Sequence, residues 1–385
     1  VSHSILPTAR VERDPLARAE LFEEIGRGAH SAVVRGLWEG REVAIKRARR
    51  TGIELEQIGK RFVREAQMLA RTRHSGLVQV FEVGQDAFGC PYMVMELIKG
   101  QTLAGQLAKQ GLMDVTAVVD MTQAILSALG EVHRRGLVHR DLKPANLMLR
   151  EDGRPVIIDF GLAAAGQTEL AQERNEAVGT FLYSPPEQTG MLHRVVDARS
   201  DLYSLGVILY ECLAGRPPFM TTDVGELLRM HAVEPPPPLA QLCPNAPKAL
   251  TAIVHKLLSK DPDGRYATAA SVRADLQRLR ELSKQAEPAL GLYDADPDLV
   301  ALPLVQRESA LQALISAISG ARFGQGRVVM VQGARGLGKS RLISEALRHA
   351  YADDALVLKG ACVSGTPTPY GALLQAISGW LRKGV

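Results

Sequence analysis

The stretch "LVHRDLKPANLML", residues 137–149, sets His139, Arg140, Asp141, Lys143 and Asn146 between two apolar runs. Pro144 has no amide proton and cannot continue a helix, so these polar residues belong to a loop. The loop is held at both ends by strand-like core segments and offers an acid, a base, a cation and an amide. Such clustering beside apolar anchors is hard to explain as ordinary surface. Just downstream, "PVIIDFGLA" puts Asp159 at the end of an apolar strand, with Gly161 permitting a sharp turn. An Asp before a Gly is by itself an ordinary turn residue; next to 137–149 it becomes a candidate second carboxylate.

Towards the N-terminus, from Leu21 to about Val94, β-branched runs are bounded by glycines: "AVVRGLW", "REVAIKRA", "LVQVFEVG" and "PYMVMEL". They read as antiparallel strands. One helical stretch, "GKRFVREAQMLART", interrupts them, with Phe62, Ala66 and Leu69 on one face. In "IGRGAHSAVV", Gly26 and Gly28 lie between two strand runs. Glycine lets a backbone turn tightly and approach phosphate oxygens, although a plain hairpin turn accounts for these two equally well. Lys46 lies within the apolar strand "VAIK", where an unpaired ammonium is costly to bury. Glu65, on the following helix, is its natural partner, and a structural bridge fits the pair as well as a catalytic one. From Leu103 to about Leu282 the helical period dominates, punctuated by "AGRPPF" and "EPPPP".

The bulk numbers agree with a globular chain. Its 385 residues suggest two to three domains. A net charge of +4, with no long basic run, gives no argument for nucleic acid. Cys90, Cys212, Cys243 and Cys362 are too far apart for a zinc site or a small disulfide framework, which makes a reducing cytoplasm the default. No apolar run is expected to span a membrane; "YSLGVILYECLAG" is short and carries Glu211, so it reads as a buried helix. The chain opens on Val1 rather than Met and has no signal peptide, as expected of an excised piece.

On these motifs, in this order, the chain from about Leu21 to Leu282 resembles a eukaryotic-type (Hanks-type) bacterial serine/threonine protein kinase. The resemblance implies an α+β two-lobed fold, with a strand-rich N-lobe at about 21–97 and a helical C-lobe at about 98–283. Residues 1–20 are then a lead-in. It also implies roles. Gly26, Gly28 and Ser31 would form the phosphate loop, Ser31 standing where relatives carry a third glycine. Lys46, held by Glu65, would grip the α- and β-phosphates of ATP. Asn146 and Asp159 would hold Mg2+, a hard ion suited to oxygen ligands. Asp141 would accept the proton of the attacking hydroxyl, and Lys143 would steady the γ-phosphate. Val33, Ala44 and Met148 would sandwich the adenine. Met95 would guard the back pocket, and the backbones of Glu96 and Ile98 would meet the adenine edge. Glu187 is expected to pair with a buried Arg265, and Asp201 to anchor the catalytic loop backbone. Lys143 with Thr180 points to protein Ser/Thr acceptors. Nothing here calls for a membrane, and homodimerisation stays open.

The activation segment departs from the pattern. Arg140 beside the catalytic Asp marks relatives switched on by a phosphate in this segment, yet "QERNEA" carries no hydroxyl. Glu173 or Glu176 is one stand-in for that phosphate, solvated glutamates on a disordered loop are the other reading, and Thr168 is a second candidate phosphosite.

Beyond residues 284–303, which look like a linker, "GARGLGKS" fits the Walker A pattern in full. A strand, "RVVMVQ", is expected before it and a helix after it. Backbone amides from Gly333 to Gly338 would cup phosphates, Lys339 would reach the β/γ-phosphates, and Ser340 would hold magnesium. Residues 304–385 resemble the start of an α/β P-loop NTPase domain of the STAND/AAA-like kind. No Walker B strand follows, so this segment is expected to be truncated and to bind nucleotide weakly or not at all. The expected function is phosphoryl transfer from ATP to protein Ser/Thr within a larger bacterial signalling protein. The rivals are a pseudokinase scaffold and an input module for a STAND-type nucleotide switch.

Overall fold

In the computed structural model, the described residues are 19–27, 31–48, 66–160 apart from 68, 87 and 88, and 179–282 apart from 180 and 193. Beyond these it describes chiefly 307–333, apart from 323, and scattered positions after that. The chain divides into two compact units, Val1–Lys284 and Gln285–Val385.

The first unit opens with β1 (Ala19–Arg27), β2 (Ser31–Trp38), β3 (Arg41–Ala48), β4 (Val80–Gln85) and β5 (Pro91–Glu96). They form one antiparallel sheet in the order β1-β2-β3-β5-β4. The first strand begins at Ala19 rather than Leu21. Register explains the alternation in "REVAIKRA". Ala44 opposes Met95, and Lys46 opposes both Val33 and Met93, so these side chains share one face. The intervening Val43 and Ile45 pack with Tyr92 and Val94 in a cluster with no more than 1 % exposure, flanked by Trp38 and Phe81. Of the helix expected around Phe62, only Ala66–Ala70, apart from 68, is described, and those residues are helical.

Next come β6 (Gly100–Thr102), α1 (Leu103–Gln110), α2 (Val115–Arg134), β7 (Leu147–Arg150) and β8 (Pro155–Ile157). The remainder is α3 (Ala198–Ala214), α4 (Val224–Val233), α5 (Leu239–Leu242), α6 (Lys248–Leu257), α7 (Ala269–Gln277) and α8 (Leu279–Leu282). Strands β6, β7 and β8 make a small sheet that carries the loop at 137–149. Asp114 caps α2 by accepting from the amides of Thr116 and Ala117. This helix, at mean hydropathy 1.3, is by length and composition apolar enough to cross a membrane, which corrects the expectation that no such segment exists. Val118, Ile125, Leu129 and Val132 are buried on it, and it packs against α7, as the core helix of a globular lobe does. The segment "YSLGVILYECLAG" lies in α3 and is buried almost throughout; Gly215 ends that helix in the left-handed conformation.

In the second unit, α9 (Glu308–Arg322) forms as expected. Residues 327–332, expected as a strand, carry no strand pairing among the described residues. A β-branched run becomes a strand only against a neighbour. Here Val328 is 99 % exposed and Met330 75 %.

Candidate active site

The loop at 137–149 is fixed from beneath by one buried carboxylate. Asp201, in the first turn of α3, accepts from the backbone amides of His139 at 2.8 Å and Arg140 at 2.9 Å. His133, at the end of α2, lies 2.7 Å from the same carboxylate. Burial pushes the Asp201 carboxyl up, but the His133 hydrogen bond and neighbouring positive charge outweigh it, and the net direction is down. This clamp holds Arg140 at φ 66°, a left-handed conformation that costs a non-glycine residue energy and persists only when its surroundings enforce it. The Gln188 side chain adds a bond to the Arg140 carbonyl at 2.6 Å. Beyond the clamp, Lys143 is extended before Pro144, which starts a single turn of 3-10 helix ending at Asn146.

The turn brings three polar groups together. Lys143 Nζ lies 3.0 Å and 2.9 Å from the two carboxylate oxygens of Asp141. Asn146 Nδ2 donates to the Asp141 carbonyl at 2.7 Å and to its carboxylate at 3.0 Å. The Ile158 amide donates to the Asn146 carbonyl, tying this turn to the end of β8. There the chain turns sharply: Asp159 has φ 50°. Its carboxylate meets Lys46 Nζ of β3, while the next side chain, Phe160, is buried and tilts over the His139 ring at 4.6 Å. Lys46 is 6 % exposed, so its pairing satisfies the need for a counter-charge. Asp159 fills that need among the described residues; Glu65, the partner expected from sequence, lies outside them.

Along the sheet face above, Val33, Ala44 and Met95 are positioned by register around Lys46, and Met95 is buried. Met148 lies on β7, half-buried. The Glu96 amide bonds the Gln79 carbonyl, and its side chain pairs with Arg150 at 2.8 Å. Ile98 follows just after β5 and has no backbone hydrogen bond among the described residues. Gly26 lies on β1 opposite Val33, and Ser31 opens β2; Gly28 lies outside the described residues. Sequence reading missed Ile25. It precedes Gly26 at a register shift in β1 and is 47 % exposed, and a large apolar side chain left bare beside a glycine turn is the signal that would have found it.

The oxygens of Asp159 and Asn146 suit a hard divalent cation. No cluster of three or more metal-binding side chains exists among the described residues, so a cation there would draw further ligands from a bound phosphate and water. Glu187 and Arg265 form a fully buried bidentate pair at 2.6 Å and 2.9 Å, and Ser200 donates to the same carboxylate at 2.7 Å. Arg140 Nε is buried and has no hydrogen-bond partner among the described residues. Thr168, Glu173, Glu176 and Thr180 lie outside them.

In the second unit, Lys339 Nζ donates to the Gly333 carbonyl at 2.8 Å. It borders a cleft of about 310 Å³ lined also by Arg307, Leu314, Val329 and Leu342. Gly338 and Ser340 lie outside the described residues.

Comparison with known proteins gives two family matches: a protein kinase domain over residues 19–276 and an AAA ATPase domain over residues 303–383. Among curated proteins, a probable serine/threonine-protein kinase of Streptomyces coelicolor is 38 % identical, covering 73 % of this chain and 43 % of its own length. The serine/threonine-protein kinase PknB of Mycolicibacterium smegmatis is 36 % identical, covering 76 % and 48 %. PknB of Mycobacterium tuberculosis is 35 % identical, covering 79 % and 48 %. The chain thus spans less than half the length of these relatives.

Proposed function

Because the chain belongs to the protein kinase domain family, matched over residues 19–276, we propose that it transfers the γ-phosphate of ATP to serine and threonine hydroxyls of proteins. The observation that carries this reading is the convergence of Asp141, Lys143, Asn146, Asp159 and Lys46, from three separate stretches of the chain, on one cleft. Phosphoryl transfer asks for position and charge neutralisation more than for covalent help. Asp141 lies beside the acceptor, orients its hydroxyl and takes its proton. Lys143, already on Asp141, is within reach of the transferred group. Lys46 holds the phosphate chain against Asp159. A magnesium ion on Asp159 and the Asn146 Oδ1 would neutralise charge on the phosphate oxygens. Val33, Ala44, Met95 and Met148, with Ile25 as an outer cover, form an apolar slot for the adenine, whose polar edge meets the backbone at Glu96 and Ile98.

We assign residues 21–283 to this kinase unit, 284–303 to a linker and 304–385 to a P-loop segment of STAND/AAA-like type. The whole belongs to a larger cytoplasmic signalling protein. Incubation with radiolabelled ATP, magnesium and a basic protein substrate tests the reading. Label should appear on serine and threonine, and Asp141→Asn should lower it by about 10²–10⁴-fold, the usual contribution of a positioned general base. An unlabelled substrate with folded, magnesium-loaded protein would overturn it.

A further inference from the structure

We propose that His231 is a positioning residue for the protein substrate: it ties α4 and α3 to the strip of chain that flanks Asp141 and fixes where an acceptor polypeptide can lie. The inference rests on the kinase reading above. The strip is Phe181–Gln188, and its far end touches the catalytic loop through the Gln188 bond to the Arg140 carbonyl. Because this bond joins the strip to the residue next to Asp141, we take the acceptor polypeptide to lie against it.

His231 is completely buried, yet the phosphoryl-transfer step does not use it. Its Nε2 lies 3.1 Å from the Leu182 carbonyl and its Nδ1 2.9 Å from the Tyr203 hydroxyl. A carbonyl only accepts, so Nε2 carries the proton; in a neutral ring Nδ1 then accepts from Tyr203. Burial, with the nearby Lys260 charge, pushes the imidazole down to about 4 and keeps it neutral. Both ring nitrogens are therefore used, each in one fixed direction.

The next carbonyl along the strip is held the same way, by a different helix. Ser204 of α3 donates to the Tyr183 carbonyl at 2.8 Å, and the Tyr183 hydroxyl bonds Glu211 at 2.7 Å. Two consecutive carbonyls thus hang on two buried side chains from two helices. The His231 end is itself braced: Lys260 Nζ donates to the Met230 carbonyl at 3.0 Å and sits 4.2 Å over the Phe219 ring, which meets the His231 ring edge-on. Among the described residues, the hydrogen-bond partners of His231, Ser204 and Lys260 include neither Lys46 nor Asp159, so the strut acts on the polypeptide side of the cleft.

Three variants test this. His231→Leu keeps volume and removes both hydrogen bonds. His231→Gln places an amide N–H near the position of Nε2. Tyr203→Phe removes only the Nδ1 partner. Steady-state kinetics with a peptide acceptor should show His231→Leu raising the peptide KM by several-fold to about tenfold, the scale of one buried hydrogen bond, with the ATP KM unchanged. His231→Gln should recover most of the loss, and Tyr203→Phe should fall between. Hydrogen exchange at the amides of 182–188 reads the strip directly, whether or not the wild type turns over. Faster exchange there in His231→Leu, with the amides of His139 and Arg140 unaffected, is the expected result. Unchanged exchange in a folded His231→Leu protein overturns the inference, as does a rise in ATP KM equal to that for peptide. A wild type that transfers no phosphate overturns the kinase reading instead, and the exchange result still stands or falls by itself.

Discussion

At the scale of single residues, the cleft stores cost in its backbone and recovers it through buried charge. Arg140 and Asp159 both occupy left-handed conformations, the first held at its amide by the Asp201 carboxylate and the second at its carboxylate by the Lys46 ammonium. The same economy governs Glu187 and Arg265. The guanidinium also bonds the carbonyls of Ser259, Lys260 and Arg199, so its donors are used throughout. Arg265→Met leaves the Glu187 carboxylate buried without its counter-charge. It should destabilise the lobe by about 3–5 kcal/mol, measured as a shift in urea midpoint at constant slope. Arg140 presents the opposite case, a buried Nε with no described partner. An anion from the activation segment is the natural complement. If a glutamate supplies it, phosphatase-treated protein and Thr168→Ala both keep their activity; joint loss assigns the role to a phosphate.

At the scale of elements, α4 depends on a histidine that must stay neutral. His231 titrates near 4 when folded and near its ordinary 6.5 when unfolded. Between these values the unfolded chain binds more protons, so the contribution is complete above about pH 6.5 and is lost as pH falls towards 4. At 1.36 kcal/mol per unit the loss approaches roughly 3 kcal/mol. Melting curves across that window should flatten in His231→Gln relative to wild type. A smaller effect belongs to α2: Asp114→Ala removes the bonds to Thr116 and Ala117 and should cost about 1 kcal/mol. The strands β2, β3 and β5 were legible because alternation and glycine boundaries are local signals. Asp201 and the Glu187–Arg265 pair were legible through resemblance. The strut at His231 was not, since its partners lie 28 and 49 residues away and its α4 neighbours give no hint of them. Nor was the Lys46–Asp159 contact, which joins residues 113 apart; the partner expected from sequence, Glu65 on the following helix, lies outside the described residues. The expected strand at 327–332 finds no pairing among the described residues: its composition is right, but strand formation is a property of a pair.

At the scale of the whole molecule, nucleotide should separate the two units. A ligand at about 100 times its Kd stabilises a folded unit by roughly 2.7 kcal/mol. Magnesium and ATP should therefore raise the melting temperature of the wild-type kinase unit, and Lys46→Met should abolish most of that rise. We expect no tight site to remain in the variant, because Lys339 lies beside an extended segment whose apolar side chains face solvent. Calorimetric titration of Lys46→Met that still finds tight binding would assign a working second site to Lys339.

One stitch governs how the first unit can move. The Ile157 amide bonds the Gly76 carbonyl and the Val78 amide bonds the Ile157 carbonyl, so the chain entering β4 rides on β8. The five-stranded sheet is thus tied to the small sheet through the chain that enters β4. Breathing of the cleft becomes a swing about that seam, like a book opening from its spine. On such a swing Gly26, on the edge strand β1 across the sheet from β4, should travel farther than Met95, which pairs with β4. A nucleotide base can then stay seated while its phosphates come and go.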